Sequence, residues 1–337
     1  MTNSDLTGIR IRRKGRSLFA GALFFFGIGF LVLQPGWAPT AMTQEQTVTI
    51  DVAVIEKSPD AFGSLTKEEF AVYEDGVKQQ VISLGAQDSP FSLGIAVDAS
   101  GSMRGQLPAI QKAAQAVISQ MGSDDEAFVV AFTSGSEVMQ DFTSNQRDLA
   151  NAVEKIYANG GTSLLDAVVS ASTYVHKNGK NRRKALMFFT DGVDKGSTID
   201  ENKATIALIE NQAQAYFVCV PVEITRPFLG IKTSGIKTSL KPRPQLERLA
   251  ASTGGQAFYL GNAEESSTTA EKFIGSLRHQ YEVTYASTNN KEKDKLRKVR
   301  VVVSPKDGRQ LDVVTRRGYY GPGHKRVSEE VIGKKKS

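Results

Sequence analysis

A single cysteine in 337 residues excludes an intrachain disulfide and any thiolate-built metal cluster. That residue, Cys219, lies in the apolar run 215–222, where a thiol is expected to pack as a small, inert hydrophobe. Histidine is scarce too: His176 and His279 fall at helix ends and His324 in the tail, so none is placed to serve as a base for a serine nucleophile. No serine sits in a Gly-x-Ser-x-Gly setting around Ser100. Low-complexity tracts are absent, and 40% hydrophobic with 23% charged residues is the composition of a folded chain rather than a disordered one.

Excess charge is also missing from the body of the chain. The formal net charge is +6, but its location matters more than its size. Arg10, Arg12, Arg13, Lys14 and Arg16 against Asp5 give residues 1–17 a charge of +4, and seven basic side chains against Glu329 and Glu330 give residues 316–337 +5. What remains is mildly acidic, which argues against a groove that follows nucleic-acid phosphates.

The N-terminal basic stretch runs into the apolar segment Leu18–Leu33, the pattern of an export signal whose positive flank stays in the cytosol. At about 1.5 Å per residue this segment measures about 24 Å as a helix, short of a comfortable span of about 30 Å. The small-residue region Ala38–Ala41 is interrupted by Pro39, so removal of the segment and its retention as a membrane anchor both stay open. Either outcome predicts an exported protein, periplasmic or extracellular.

The expected division is a signal or anchor over 1–43, a β segment over 44–88, an α/β domain over 89–278, a second β segment over 279–320 and a basic tail over 321–337. Period-two alternation over Thr47–Val52 predicts a half-buried strand, and Phe70–Glu74, Asp75-Gly76 and Val77–Leu84 predict a hairpin. From Ser92 the pattern becomes short apolar strands alternating with amphipathic helices, as far as a helix over 264–278. Such alternation implies a doubly wound, mostly parallel sheet covered on both faces, a Rossmann-like fold. Strand patterns return at Tyr281–Tyr285, Val299–Val303 and Leu311–Thr315, with 289–298 expected as an exposed hairpin loop. The two flanking β segments are expected to pair with each other, since neither makes a stable sheet alone. Residues 224–244 contain the tandem repeat Ile231-Lys232-Thr233-Ser234-Gly235 and Ile236-Lys237-Thr238-Ser239, without apolar periodicity, and are expected to be a surface loop. The near-match to a phosphate loop over Gly230–Thr238 has its lysine one place late and no strand-to-helix setting.

The chemistry concentrates in Asp98-Ala99-Ser100-Gly101-Ser102, in Gly160-Gly161-Thr162 and in Thr190-Asp191-Gly192. Asp98 and Asp191 each end a strand and Thr162 precedes a helix. In a doubly wound sheet these positions share the carboxyl edge, where ligands bind. Three hydroxyls from Ser100, Ser102 and Thr162, with carboxylates from Asp98 and Asp191, suit a hard cation that takes six oxygens, Mg²⁺ or alternatively Mn²⁺ or Ca²⁺. Gly101 is expected to turn the loop between the serines, and Gly160 and Gly161 to let backbone approach the metal. Asp166, in Ser163-Leu164-Leu165-Asp166, is read as part of a capping box, and Asp194 as a solvated loop charge.

These residues resemble the metal-ion-dependent adhesion site of von Willebrand factor type A domains, over about residues 89–278. With Leu65–Gly76 before and Arg317-Gly318-Tyr319-Tyr320 after it, the chain is similar to the exported bacterial proteins of that group. The resemblance implies direct ligation by Ser100 and Ser102, direct ligation by Thr162 in the ligand-competent state, and contact through waters for Asp98 and Asp191. It implies a non-enzymatic module whose metal takes an acidic side chain of a protein partner, and occupancy coupled to movement of the helix over 264–278. Two alternatives stand beside it. One is a Mg²⁺-dependent phosphoester hydrolase or phosphotransferase, which would want a second acid beside its nucleophile where Asp98 is followed by hydroxyls. The other is a structural exported module with a vestigial site.

Overall fold

The computed structural model describes residues 46–56, 65–85, 88–220, 243–260, 265–289 and 294–327, together with four two-residue strands between 223 and 237. The apolar segment Leu18–Leu33, the basic end of the tail and most of the duplicated segment 224–244 lie outside these residues. No helix among the described residues is long and apolar enough to cross a membrane.

A chain that places apolar residues at every position of a short strand has to bury both faces of it. Phe91–Asp98 (β4) does so along its whole length. It lies at the centre of a six-stranded sheet with Glu126–Phe132 (β5), Ser136–Thr143 (β6), Arg183–Thr190 (β7), Ala213–Cys219 (β8) and Ala257–Tyr259 (β13). The order is β13-β8-β7-β4-β5-β6; every pairing is parallel except that of β6, which returns antiparallel at the edge. Leu93, Ile95 and Val97 point to one face and meet Leu107–Ser119 (α1), Gln146–Glu154 (α2) and Ser266–Arg278 (α6). Ala96, Leu186 and Phe188 point to the other and meet Leu164–Asn178 (α3), Glu201–Glu210 (α4) and Pro244–Thr253 (α5). Gly94 admits this packing, because a Cβ there would lie 2.5 Å from both Leu186 and Phe128. Cys219 is buried, and burial pushes its thiol up to about 12, the inert state expected of a core cysteine.

The flanking segments do combine. Gln46–Glu56 (β1), Phe70–Glu74 (β2), Val77–Gly85 (β3), Gln280–Ser287 (β14), Leu296–Val303 (β15), Leu311–Thr315 (β16) and Gly318–Tyr320 (β17) form one antiparallel sheet in the order β16-β1-β14-β3-β2-β15-β17. Val48, Ile50 and Val52 stand opposite Tyr285, Val283 and Tyr281, so period-two faces from the two chain ends share one core. The β2–β3 turn has Asp75 at φ 49° and Gly76 at φ 87°, the left-handed pair a tight hairpin needs. The expected hairpin loop over 289–298 is corrected: β14 and β15 are not neighbours, because the β2–β3 hairpin is inserted between them. Behind that hairpin the buried Glu74 accepts hydroxyl hydrogen bonds from Tyr285 (2.8 Å), Tyr319 (2.9 Å) and Ser287 (3.0 Å). The remaining short strands pair as Glu223–Ile224 (β9) with Ile236–Lys237 (β12), and Pro227–Phe228 (β10) with Ile231–Lys232 (β11).

A buried ionic cluster joins the sheets at the amino edge of the parallel one. Asp51 on β1 accepts from Arg182 at 2.6 Å and from Arg183 at 3.4 Å, and Glu282 on β14 pairs with Arg182 at 2.5 Å. Arg183 also donates to the carbonyls of Leu277 (3.0 Å) and Gln280 (3.3 Å), gripping the one-residue junction between α6 and β14. Of the histidines, His324 bonds Glu210 at 2.7 Å and stacks on Tyr320, holding the start of the tail against the end of α4.

Candidate metal centre at the carboxyl edge

Three loops meet at the carboxyl edge of the parallel sheet, two of them after the adjacent strands β4 and β7 and one between α2 and α3. The first follows β4 and turns into a short 3₁₀ helix, Gly101–Met103. The second, 155–163, leads into α3, and the third follows β7. Backbone bonds sew them together. Gly101 N donates to Gly160 O (3.1 Å), Asn159 N to Ala99 O (2.7 Å), and Lys195 N and Gly196 N both donate to Thr162 O (3.1 and 2.9 Å).

Asp98 forms the floor and is fully buried. One carboxylate oxygen accepts the Ser100 amide at 3.0 Å, and the other accepts the Thr190 hydroxyl at 2.8 Å. Burial raises its carboxyl to about 6; the Ser100 and Thr190 hydrogen bonds oppose that rise, and the neighbouring charge of Asp191 adds to it. Above the floor the oxygens form a chain. Ser100 Oγ and Ser102 Oγ are 3.1 Å apart, and Ser102 Oγ donates to Asp191 Oδ2 at 3.1 Å. Asp191 Oδ1 accepts the Val193 amide at 2.8 Å, and Arg243 Nε donates to the Asp191 carbonyl at 2.9 Å. Ser100 is buried, Asp191 half-buried and Ser102 exposed, so the chain climbs from the floor to the mouth.

Asp98, Ser100, Ser102 and Asp191 are thus joined by direct hydrogen bonds. Thr162, buried at the start of α3, adjoins them through its loop, bonded by backbone to the turn after β4 and to the turn after β7. Among the described residues no group of three His, Cys, Asp or Glu side chains is arranged to hold a metal ion; the oxygens gathered here belong to two carboxylates and three hydroxyls.

Three expectations about the loops change. Ser163 makes no side-chain cap on α3. The first turn of that helix is instead capped from the loop after β7: Leu165 N donates to Asp194 Oδ2 (3.1 Å) and Asp166 N to Ser197 Oγ (3.1 Å). Asp194, read as a solvated charge, is therefore the capping residue, and its second oxygen accepts Gly196 N and Ser197 N. Asp166 holds the Thr198 amide at 3.1 Å, fastening the same loop from the other side. Both exchanges follow from the proximity of two acids to one helix start, which sequence spacing alone does not resolve. Gly101 has no left-handed backbone, and a Cβ there would meet only Gly160 O at 3.7 Å; Gly160, at φ 92°, is the glycine its loop requires.

Thr190 joins the site although the ligand motif does not include it. It stands in the Thr-Asp-Gly triplet one place before a candidate ligand, and a hydroxyl at the buried end of a strand has to find a partner inside; here that partner is Asp98. Arg243 had no such signal, since it follows a segment without periodicity.

Residues 93–193 match the family model described as von Willebrand factor type A domain. An uncharacterized protein of Synechocystis sp., sll0103, is 29% identical over 106 residues, which are 31% of this chain and 25% of that protein; the chain thus spans about a quarter of that relative's length. Among solved structures, a von Willebrand factor type A protein from Catenulispora acidiphila is similar with a TM-score of 0.47 and 16% identity, covering 86% of this chain and 78% of that one. The conserved hypothetical protein BatB from Bacteroides thetaiotaomicron is similar with a TM-score of 0.45 and 18% identity, covering 56% of this chain and 98% of that one. With the matched segment running from β4 through both loops to the residues just after Asp191, this chain carries a von Willebrand factor type A domain.

Proposed function

We propose that the carboxyl edge holds one hard divalent cation, Mg²⁺ or in its place Mn²⁺ or Ca²⁺, and through it binds an acidic side chain of a protein partner. The von Willebrand factor type A fold supports protein interaction in general; the finer reading rests on the oxygen chain. Oxygens on neighbouring vertices of an octahedron of about 2.1 Å radius stand about 3.0 Å apart. The two hydroxyls read as direct ligands, Ser100 and Ser102, stand 3.1 Å apart and so have that spacing, and this is the observation that carries the proposal. Ser100 and Ser102 would ligate directly, Thr162 would join them, and Asp98 and Asp191 would act mainly through bound waters. A cation held mostly by neutral hydroxyls stays electrophilic and accepts a carboxylate from outside.

The residues themselves do the positioning. Asp98, fixed by Thr190 and the Ser100 amide, supplies buried negative charge beneath the serines, and the Val193 amide orients Asp191. His176 bonds the Asn211 carbonyl and His324 bonds Glu210, so neither serves Ser100 as a base, which supports a binding module over a histidine-assisted hydrolase. We further propose export, on the basic stretch Arg10–Arg16 followed by Leu18–Leu33, with that segment removed or kept as a membrane anchor.

Thermal unfolding of the metal-depleted protein with Mg²⁺, Mn²⁺ or Ca²⁺ added back tests the metal. Saturation at a hundredfold the dissociation constant corresponds to about 2.7 kcal/mol of stabilisation. The shift is expected in the wild type and not in Ser100→Ala or Asp191→Asn; an equal shift in all three, or none in the wild type, overturns the reading.

A further inference from the structure

Beside the Asp191 loop the surface opens into a hollow of about 700 Å³, lined in part by Gly192, Val193, Lys195, Arg243 and Arg248. Its floor begins with the two residues that follow Asp191, so it adjoins the metal centre directly. Three helices start around it, and two have their ends satisfied by carboxylates: α3 by Asp194, and α4 by Asp200, whose Oδ1 accepts Lys203 N at 2.8 Å. Among the described residues no side chain caps α5, whose first residue, Pro244, lines the hollow. The positive end of that helix faces the same space as the cationic side chains.

The charges sort themselves. Arg248 is taken by Glu201 through two bonds of 2.7 and 2.8 Å, and Asp194 spends both oxygens on backbone amides. Among the described residues no acid pairs in this way with the other two cations of the lining, Arg243 and Lys195. Arg243 Nε is anchored on the Asp191 carbonyl, which fixes the guanidinium beside the proposed metal, and a guanidinium has further N–H groups on its two terminal nitrogens. Lys195 is held through its own amide on Thr162 O at 3.1 Å, so both cations hang from candidate metal-site residues.

We infer that this hollow receives a second carboxylate of the same partner, so that recognition requires two neighbouring acidic groups, one at the metal and one between Arg243 and Lys195. This rests on the metal-dependent reading above. The second group would gain charge-assisted hydrogen bonds from Arg243 and the field of the α5 terminus. Being tethered to the first, it would bind at high local concentration.

Fluorescence anisotropy with labelled, end-blocked peptides tests this on the full chain. One peptide carries a single Asp among Gly and Ser; four others add a Glu one to four residues after it. In Mg²⁺, at least one two-acid peptide is expected to bind about tenfold more tightly than the single-acid peptide. That ratio is expected to fall towards one in Arg243→Gln and in Lys195→Gln, and to be kept in part by Arg243→Lys. Lys195 is exposed, so its variant reads the charge without disturbing packing. A wild-type ratio near one for every spacing, or a ratio unchanged in both Gln variants, overturns the second subsite even where Mg²⁺ stabilises the protein. Binding that ignores chelator and Ser100→Ala overturns the metal reading instead.

Discussion

The Thr190 hydroxyl donates to Asp98 Oδ2 at 2.8 Å and accepts the Gly192 amide at 3.0 Å, so one oxygen at the end of β7 secures both the buried acid of β4 and the turn that carries Asp191. Two strand ends separated by 92 residues are thereby fixed to each other.

Thr190→Val keeps the side-chain shape and removes that oxygen. It leaves a buried carboxylate one partner short and an amide without its acceptor, and is expected to cost about 1.5–3 kcal/mol in urea unfolding of the metal-free protein. The midpoint should fall with the slope unchanged. A loss within about 0.5 kcal/mol, the scale of an ordinary surface substitution, would mean that water replaces the hydroxyl.

Asp98 makes a prediction about pH with a definite sign. Its carboxyl stands at about 6 in the folded protein against an ordinary 3.8, raised by burial despite two hydrogen bonds. Between those values the folded state holds the extra proton, so this residue's contribution favours folding at low pH and is lost as the pH climbs through about 6. In metal-free solution the stability of the wild type relative to Asp98→Asn is expected to decline from pH 4 to pH 7, by about 3 kcal/mol at most. Chemical denaturation of both proteins at each pH measures the difference. A difference that rises over this interval contradicts the assignment.

Asp51 behaves in the opposite sense. Burial pushes its carboxyl up, but the Arg182 hydrogen bond and the charges of Arg182 and Arg183 win and hold it below 3.8. The stabilisation it supplies is therefore complete above that ordinary value and disappears as the pH falls below it. Asp51→Asn takes from the fully buried Arg183 the nearer of its two carboxylates, leaving Glu282 at 3.6 Å, and is expected to cost about 3 kcal/mol at pH 7, with protease cuts appearing first in the seven-stranded sheet.

Two glycines of the site, Gly101 and Gly160, differ in what they tolerate. Gly101→Ala has room and ordinary backbone angles, so its metal response should match the wild type. Gly160→Ala forces an L side chain to φ 92° and is expected to cost about 1–3 kcal/mol and to weaken the metal response, since Gly160 O fixes Gly101 N. Thermal shifts with and without Mg²⁺ read both effects.

The α/β part of the fold was legible because its signals are local. The continuous apolar run of β4, the helical spacing of Leu107, Ile110, Ala114 and Val117, and the Asp75-Gly76 turn each announce an element without reference to anything distant. The strand order of the antiparallel sheet was not, because β14 carries the same alternation whether its neighbour is β15 or β3. At the site, Asp98 and Asp191 were findable from their positions at strand ends, and Ser100 and Ser102 from the motif that follows. Thr190, Asp194 and Arg243 act by reaching across loops, and no spacing in the chain encodes that reach.

Thr49 and Thr284, whose hydroxyls meet at 2.9 Å on β1 and β14, are 235 residues apart. A chain that emerges N-terminus first thus presents β1 long before any of its native neighbours exists. Val48, Ile50 and Val52 lack their cross-strand partners Tyr285, Val283 and Tyr281 for that whole interval. Until β14 and β16 have been made, β1 is an unpaired strand that a foreign strand can occupy.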